Sequence, residues 1–288
     1  MLNPELRAHR DKDLMVILVH GIHSEGNKAG VPMFKHFSFF VYGVGAYLIF
    51  LATFLYAVAF VGGFAVPNRL DGPLQTPVLN AVLIDAALLG LFAIQHSVMA
   101  RPWFKERWTQ IIPWALERST YVLCASLALA LVIWQWRPTG IQIWSVQDSV
   151  ARALLWTLFA SGWSIVLVVT FLINHFDLFG LRQVWFPLIG RPYTQVHFVT
   201  PLPYRLVRHP LYFGFLLAFW MTPNMTLAHL VFAVLTTIYI LVGIQFEERD
   251  LVAEHGMTYE NYRRTVPMIL PRLRRRAIVP PAAPSLKT

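Results

Sequence analysis

The sequence predicts an all-α integral membrane protein of six embedded helices: five full spans, and one short helix that forms a C-terminal helical hairpin with the last span. Three observations carry that expectation. The 288 residues are 56% hydrophobic and 14% charged, with a mean hydropathy of +0.52, far more apolar than an average soluble domain. Long apolar runs alternate with polar connectors, and at 1.5 Å per residue each is long enough to cross a hydrocarbon core of ~30 Å. Of the 24 Lys and Arg residues, all but Arg69, Arg137 and Arg152 fall on one side of the resulting topology. The positive-inside bias then places both the N and C termini in the cytoplasm. The net charge of +9 therefore reports membrane orientation, not nucleic-acid binding, because the basic residues sit in loops between apolar runs. A single cysteine, Cys124, leaves no disulfide framework and no cysteine-based metal site.

Residues 1–33 read as a polar extension, of which 1–32 are expected to be dispensable, with Met33 as a natural start. Their apolar stretch 14–22 is too brief for a signal peptide, is interrupted by His20 and lacks a small-x-small cleavage site. Val19-His20-Gly21 with Ser24 has no sheet or nucleophile elbow downstream to make it a hydrolase oxyanion loop. The spans are then 37–61, ending at Gly62-Gly63; 78–99, with Asp85 inside and Gln95-His96-Ser97 near its end; 119–136; and 150–174. No internal repeat is evident. The membrane domain covers 34–272, with a functional core at 174–267, and 273–288 is a basic, Pro/Ala-rich tail. The Arg cluster at 272–276 can pair with anionic lipid headgroups.

The chain is organised around 207–251. Pro210 suits a first helical position because its φ is fixed and it has no N–H to leave unpaired. Pro223-Asn224 breaks that helix after about 13 residues, or ~20 Å, too short to span alone. Thr226 can cap the next helix, and 227–246 runs for 20 residues without Asp, Glu, Lys or Arg. A short break favours an antiparallel hairpin. Such a hairpin brings Arg208 and His209 beside Glu247 and Glu248, in the recess left by the missing turns. Ionisable residues at membrane depth mark a functional site by default.

The run Arg208-His209-Pro210-Leu211-Tyr212-Phe213-Gly214, followed by Glu247-Glu248-Arg249-Asp250-Leu251 and then Gly256, Tyr259 and Tyr262 before Val266-Pro267, resembles the C-terminal signature of membrane methyltransferases. That group includes the isoprenylcysteine carboxyl and phospholipid methyltransferases. Two further stretches are similar to the bacterial methanethiol S-methyltransferases: 174–185 with Arg191-Pro192-Tyr193, and 95–102 with Glu117-Arg118-Ser119-Thr120-Tyr121. The resemblance covers roughly 34–272. It implies a multi-pass protein of the bacterial inner membrane that transfers a methyl group from S-adenosylmethionine to a small volatile thiol entering through lipid.

Within that implication, Arg208 and His209 suit the cofactor's carboxylate and Glu247 or Glu248 its ammonium. Tyr212 can pack on or hydrogen-bond the cofactor, and Gly214 permits close approach of a helix or ligand. Tyr259 and Tyr262 suit interfacial anchors. A thiol is mostly protonated at neutral pH, and burial disfavours its ionisation further, so a base or nearby cation is expected. His175 ranks first as the base because its His-x-Asp pair with Asp177 sits within the most specific of these runs, and His96 ranks second; Asp177 can orient one of the two. Arg182 can stabilise the thiolate and Tyr193 can relay a proton. Competing readings are a lipid or prenylcysteine carboxylate acceptor, a nicotinamide-dependent reductase and a non-catalytic subunit or transporter. No Gly-rich dinucleotide fingerprint supports the reductase, and no repeated halves support the transporter.

Overall fold

The computed structural model describes residues 33–194 and 202–271. The expectations for the N-terminal extension, apart from Met33, and for the basic tail lie outside the described residues. In chain order the helices are α1 (Met33–Gly62), α2 (Val78–Ala100), α3 (Pro102–Trp108), α4 (Glu117–Gln135), α5 (Ser149–Ile173), α6 (His175–Leu178), α7 (Leu181–Leu188), α8 (Leu202–Leu206), α9 (Pro210–Trp220), α10 (Leu227–His255) and α11 (Met257–Thr265). Five of them are long and apolar enough to cross a membrane: α1, α2, α4 with its preceding 3-10 turn, α5 and α10. The shorter apolar helix is α9, with 11 residues. Large side chains on the outer faces stay exposed, among them Leu79, Trp134, Leu154 and Ile238, as a lipid-facing surface requires.

Local chemistry sets several element ends. Asp148 accepts from the Ala151 N–H at 2.8 Å and starts α5. Asn174 closes α5 at φ 153°, and its side-chain oxygen accepts from the Asp177 N–H at 3.2 Å to open α6. Thr226 caps α10 by accepting from His229 N–H at 3.3 Å. That last helix runs to His255, 29 residues in all, so Glu247 and Glu248 are carried on its final turns and not in a loop after it.

Helix α5 packs along α9, α1 along α4, α2 along both α4 and α10, and α1 against α7. The α5–α9 contact is unusually close. A Cβ added at Gly162 would lie 2.6 Å from Ala218 N, and one at Gly214 would lie 2.8 Å from Gly162 O. Backbones touch there because neither glycine has a side chain, the small-residue packing that serves helices without a hydrophobic drive between them. The short helix thus leans mainly on α5, and its hairpin partner α10 stands further off.

The apolar core gathers at the end of the bundle remote from Arg208, around Phe60, Trp136, Phe159, Trp163, Phe219 and Phe232. At that end the all-α expectation needs a small correction. β1 (Gln142–Ser145) and β2 (Asn224–Thr226) pair antiparallel. Runs of three and four residues carry no periodicity from which a strand can be read. Asp71 ties this end together: its carboxylate accepts from Thr226 N–H at 2.9 Å and meets His229 Nδ1 at 2.7 Å. His229 Nε2 donates to the Phe219 carbonyl at 3.0 Å, so one buried imidazole holds the end of α9, the start of α10 and the α1–α2 loop. Asp85, the acid inside α2, accepts from the Arg137 backbone N–H at 2.9 Å.

Gly162→Ala is expected to force α5 and α9 apart and to cost about 1–3 kcal/mol, the usual range for overpacking. Thermal unfolding of the detergent-solubilised protein measures this, and an unchanged melting temperature would refute the close contact.

Candidate functional site

Glu248 is the centre of the hairpin cluster. It is 6% exposed, and its Oε1 accepts from Arg208 Nε at 2.8 Å and meets His209 Nε2 at 3.1 Å. Arg208 Nη1 donates to the carbonyls of Arg263 at 2.7 Å and Val266 at 2.9 Å. The backbone joins in, with Arg208 N–H donating to Pro267 O at 2.8 Å and His209 N–H to Met268 O at 3.0 Å. Arg263 Nη1 stands 3.8 Å from the second Glu248 oxygen. Residue 248 is therefore the inward glutamate that joins α9, α10 and the segment after α11. Arg208 has only Nη2 without a partner among the described residues, so it offers a ligand one nitrogen and not a two-pronged fork.

Glu247 differs. Its side chain is 45% exposed, and Oε2 accepts from Tyr212 O–H at 3.0 Å. His209 Nδ1 stands 3.8 Å from the same oxygen, which leaves Oε1 open among the described residues. Tyr259, expected at an interface, is 2% exposed, and Tyr262 O–H donates to Tyr204 O at 2.6 Å. Both tyrosines brace the segment that receives Arg208. Burial pushes the Tyr262 phenol up to about 12, so it stays a neutral donor.

A second polar group lies where α2, α4 and α10 meet. The Tyr121 hydroxyl is 3.0 and 3.1 Å from the two ring nitrogens of His96, whose ring stacks on Phe92 at 5.4 Å. His96 has no other hydrogen-bond partner among the described residues. Ser97 Oγ is 3.2 Å from Tyr239 Oη, and Arg101 pairs with Asp250 at 3.1 Å. Through the Ser97–Tyr239 contact this group touches α10, the helix that carries the hairpin glutamates.

The remaining sequence candidates form a third, separate group. His-x-Asp spacing does not bring Asp177 to His175. The Thr170 hydroxyl donates to Leu167 O at 2.7 Å, so it accepts from His175 Nδ1–H at 2.9 Å. His175 Nε2 then accepts from Tyr47 O–H at 2.9 Å. The ring is 5% exposed and stacked on Phe171 at 4.2 Å; burial holds its basicity below the ordinary imidazole range. Both nitrogens are taken, and the residue braces α1 against the end of α5. Asp177 instead accepts from Tyr193 O–H at 2.9 Å and faces Arg182 at 3.6 Å. The Arg182 guanidinium lies over the Phe186 and Tyr193 rings at 5.1 and 5.7 Å. Burial first, and then the Asp177 bond, push the Tyr193 phenol up to about 12. Among the described residues, no hydrogen bond or ring contact joins this group to the hairpin.

Sequence reasoning gave no role to Tyr121, Tyr239, Tyr47 or Thr170. Tyr121 stands inside the quoted run 117–121, and a tyrosine one helix away from an intramembrane histidine was the available signal. His229 was equally legible as an ionisable group within an apolar run.

Fold and site together define a multi-pass helical membrane protein with a polar, ionisable centre at one end of its bundle. The comparisons with known proteins narrow that class. The chain is 60% identical over 231 residues to the methanethiol S-methyltransferase of Crocosphaera subtropica, which covers 80% of this chain and 91% of that one. It is 52% identical over 237 residues to the Mycobacterium tuberculosis protein of the same name, covering 82% and 97%. Mouse Nurim is 30% identical over 183 residues, 60% of this chain and 69% of its own. No family model and no solved structure matches. The chain belongs to the methanethiol S-methyltransferase family.

Glu248→Gln is expected to leave Arg208 buried without its counter-charge and to cost about 3 kcal/mol or more. The half-exposed Glu247→Gln should change stability by less than about 1 kcal/mol. Parallel melting curves separate the two, and equal losses would overturn the assignment of residue 248 as the structural partner.

Proposed function

We propose that the chain transfers the sulfonium methyl of S-adenosylmethionine to methanethiol at the cytoplasmic face of a bacterial inner membrane, with both termini in the cytoplasm. The products are dimethyl sulfide, S-adenosylhomocysteine and a proton. The observation that carries this reading is the Glu247 carboxylate, held by Tyr212 on the final turns of α10 with one oxygen unpartnered among the described residues, in a chain of this family.

The donor set fits the cofactor. Its amino-acid end carries an ammonium and a carboxylate, and the hairpin offers the unpartnered Glu247 Oε1 to the first and Arg208 Nη2 to the second. His209 is turned onto Glu248 and holds the hairpin in register, and Tyr212 fixes Glu247 by donating to it. Gly214 acts by bringing α9 onto α5. When bound, the cofactor supplies an electrophilic methyl group that needs no further activation by an acid.

The chain's own task is to make the thiol nucleophilic. The thiolate is the competent form, and an apolar site disfavours it. His96 takes the proton in this reading, because a single phenol, shared between its two ring nitrogens, is its sole hydrogen-bond partner among the described residues. Tyr121 orients the ring. His175 lacks that capacity, since both of its nitrogens are occupied, and Arg182 is already neutralised by Asp177. The sequence ranking of the two histidines is thereby reversed.

Cells expressing the chain and fed methanethiol are expected to release dimethyl sulfide into the headspace; none above control would refute the reading. His96→Ala should lower turnover about 100-fold or more, the range of a general base. Cofactor affinity should be unchanged, and turnover should recover in part at high pH, where the thiol ionises in solvent. Wild-type turnover in His96→Ala at pH 7 would remove it as the base.

A further inference from the structure

Gly162 and Gly214 are explained by touching backbones, but Gly243 in α10 is not. A Cβ added there would meet no atom within 4 Å. Glycine in a helix interior is unfavourable relative to alanine, so here the missing side chain leaves space without gaining a contact. Gly45 and Gly90 also have room. They stand one or two turns from Leu48 and Ile49, and from Leu83 and Ile94, all exposed on outer faces.

Gly243 also has exposed neighbours, but it lies between two contacts of α10 with α2. The buried side of α10 carries Ile240, Ile244 and Glu248, and its outer side carries Leu241, Val242 and Phe246. Tyr239, Gly243 and Glu247 follow at intervals of four and line one flank between those sides. That flank turns towards α2. Tyr239 meets Ser97 at 3.2 Å one turn before the glycine, and Asp250 meets Arg101 at 3.1 Å two turns after it. Between these two tethers the helices leave a window floored by Gly243. The window is bordered by Tyr239 and Glu247, with Tyr212 held on Glu247 from α9 and, on α2, by the Ser97 that meets Tyr239, next in the chain to His96. Gly243 is only half-buried, so the space communicates with the outside. On the α10 rim stand exposed apolar side chains, Val242 and Phe246.

We infer that this window between α2 and α10 admits the acceptor thiol and that Gly243 limits its size. The inference rests on the thiol methyltransferase reading and adds the acceptor's place to it. A small apolar thiol partitions into lipid and meets the window from the apolar rim. Inside it, the sulfur comes between the hydroxyl and imidazole groups of α2 and α4 and the carboxylate of α10. One methylene in such a pocket is worth roughly 10- to 200-fold in discrimination, so a single added side chain at the floor should be felt by the substrate.

The test compares wild type, Gly243→Ala and Gly243→Leu with methanethiol, ethanethiol and propanethiol, alongside cofactor affinity and melting temperature. Gly243→Ala should melt about 2–4 °C higher, as a helix-favouring change with room for its methyl group. It should also lower kcat/KM for ethanethiol by about tenfold more than for methanethiol. Gly243→Leu should lower kcat/KM for methanethiol itself at least about tenfold, with cofactor affinity unchanged. A readout independent of turnover uses Gly243→Cys in a Cys124→Ala background. Methyl methanethiosulfonate should modify it, and dimethyl sulfide should slow the reaction. Unchanged thiol selectivity in both variants, an equal loss of cofactor binding in Gly243→Leu, or modification that dimethyl sulfide does not slow would each overturn the window. A wild-type protein that methylates no thiol would instead sink the methyltransferase reading on which the window depends.

Discussion

The Glu248 carboxylate, held by Arg208 and His209 in a nearly closed environment, is the interaction on which the hairpin end of the molecule depends. A buried charge is tolerated only when its partners are close and its remaining valences are filled. Here the guanidinium fills its own by reaching two backbone carbonyls of the segment around α11. One carboxylate thereby fixes the start of α9, the final turns of α10 and the chain that follows. Glu247 can then stand half-exposed beside it, because the neighbouring residue has taken the structural work.

Division of labour recurs along the bundle. At one end aromatic side chains interlock around Trp163 and Phe219, and the Asp71–His229 pair closes the α9–α10 turn. Among the described residues, the other end keeps groups with spare bonding capacity: a histidine with one partner, a carboxylate with an unpartnered oxygen and a glycine with nothing within 4 Å of an added side chain. Dense packing gives rigidity but leaves no room for a ligand. Placing the two at opposite ends lets a short helix be clamped firmly at one end while its other end carries ionisable groups.

Two histidines of similar sequence context end up in opposite conditions. His175 is locked by Thr170 and Tyr47 into a single tautomer, with its accepting lone pair in use. His96 rests against one phenol. The difference comes from neighbours on other helices: Tyr47 is 128 residues away from His175, and Tyr121 is 25 away from His96. Spacing within a segment could not rank them.

The sequence by itself determined the apolar spans, the short helix begun by Pro210 and ended before Pro223-Asn224, the Thr226 cap, and the pairing of Arg208 and His209 with the two glutamates. These follow from run length, backbone restriction and charge at membrane depth, all local properties of the chain. Only the tertiary structure decided which glutamate turns inward, because adjacent positions point about 100° apart on a helix and the choice rests on helix rotation. It also decided that Asp177 faces Arg182 and not His175, and that Gly162 is filled by a neighbouring backbone while Gly243 is left open. Those outcomes depend on how helices from distant parts of the chain tilt and approach one another, and no period or motif within a single segment encodes that.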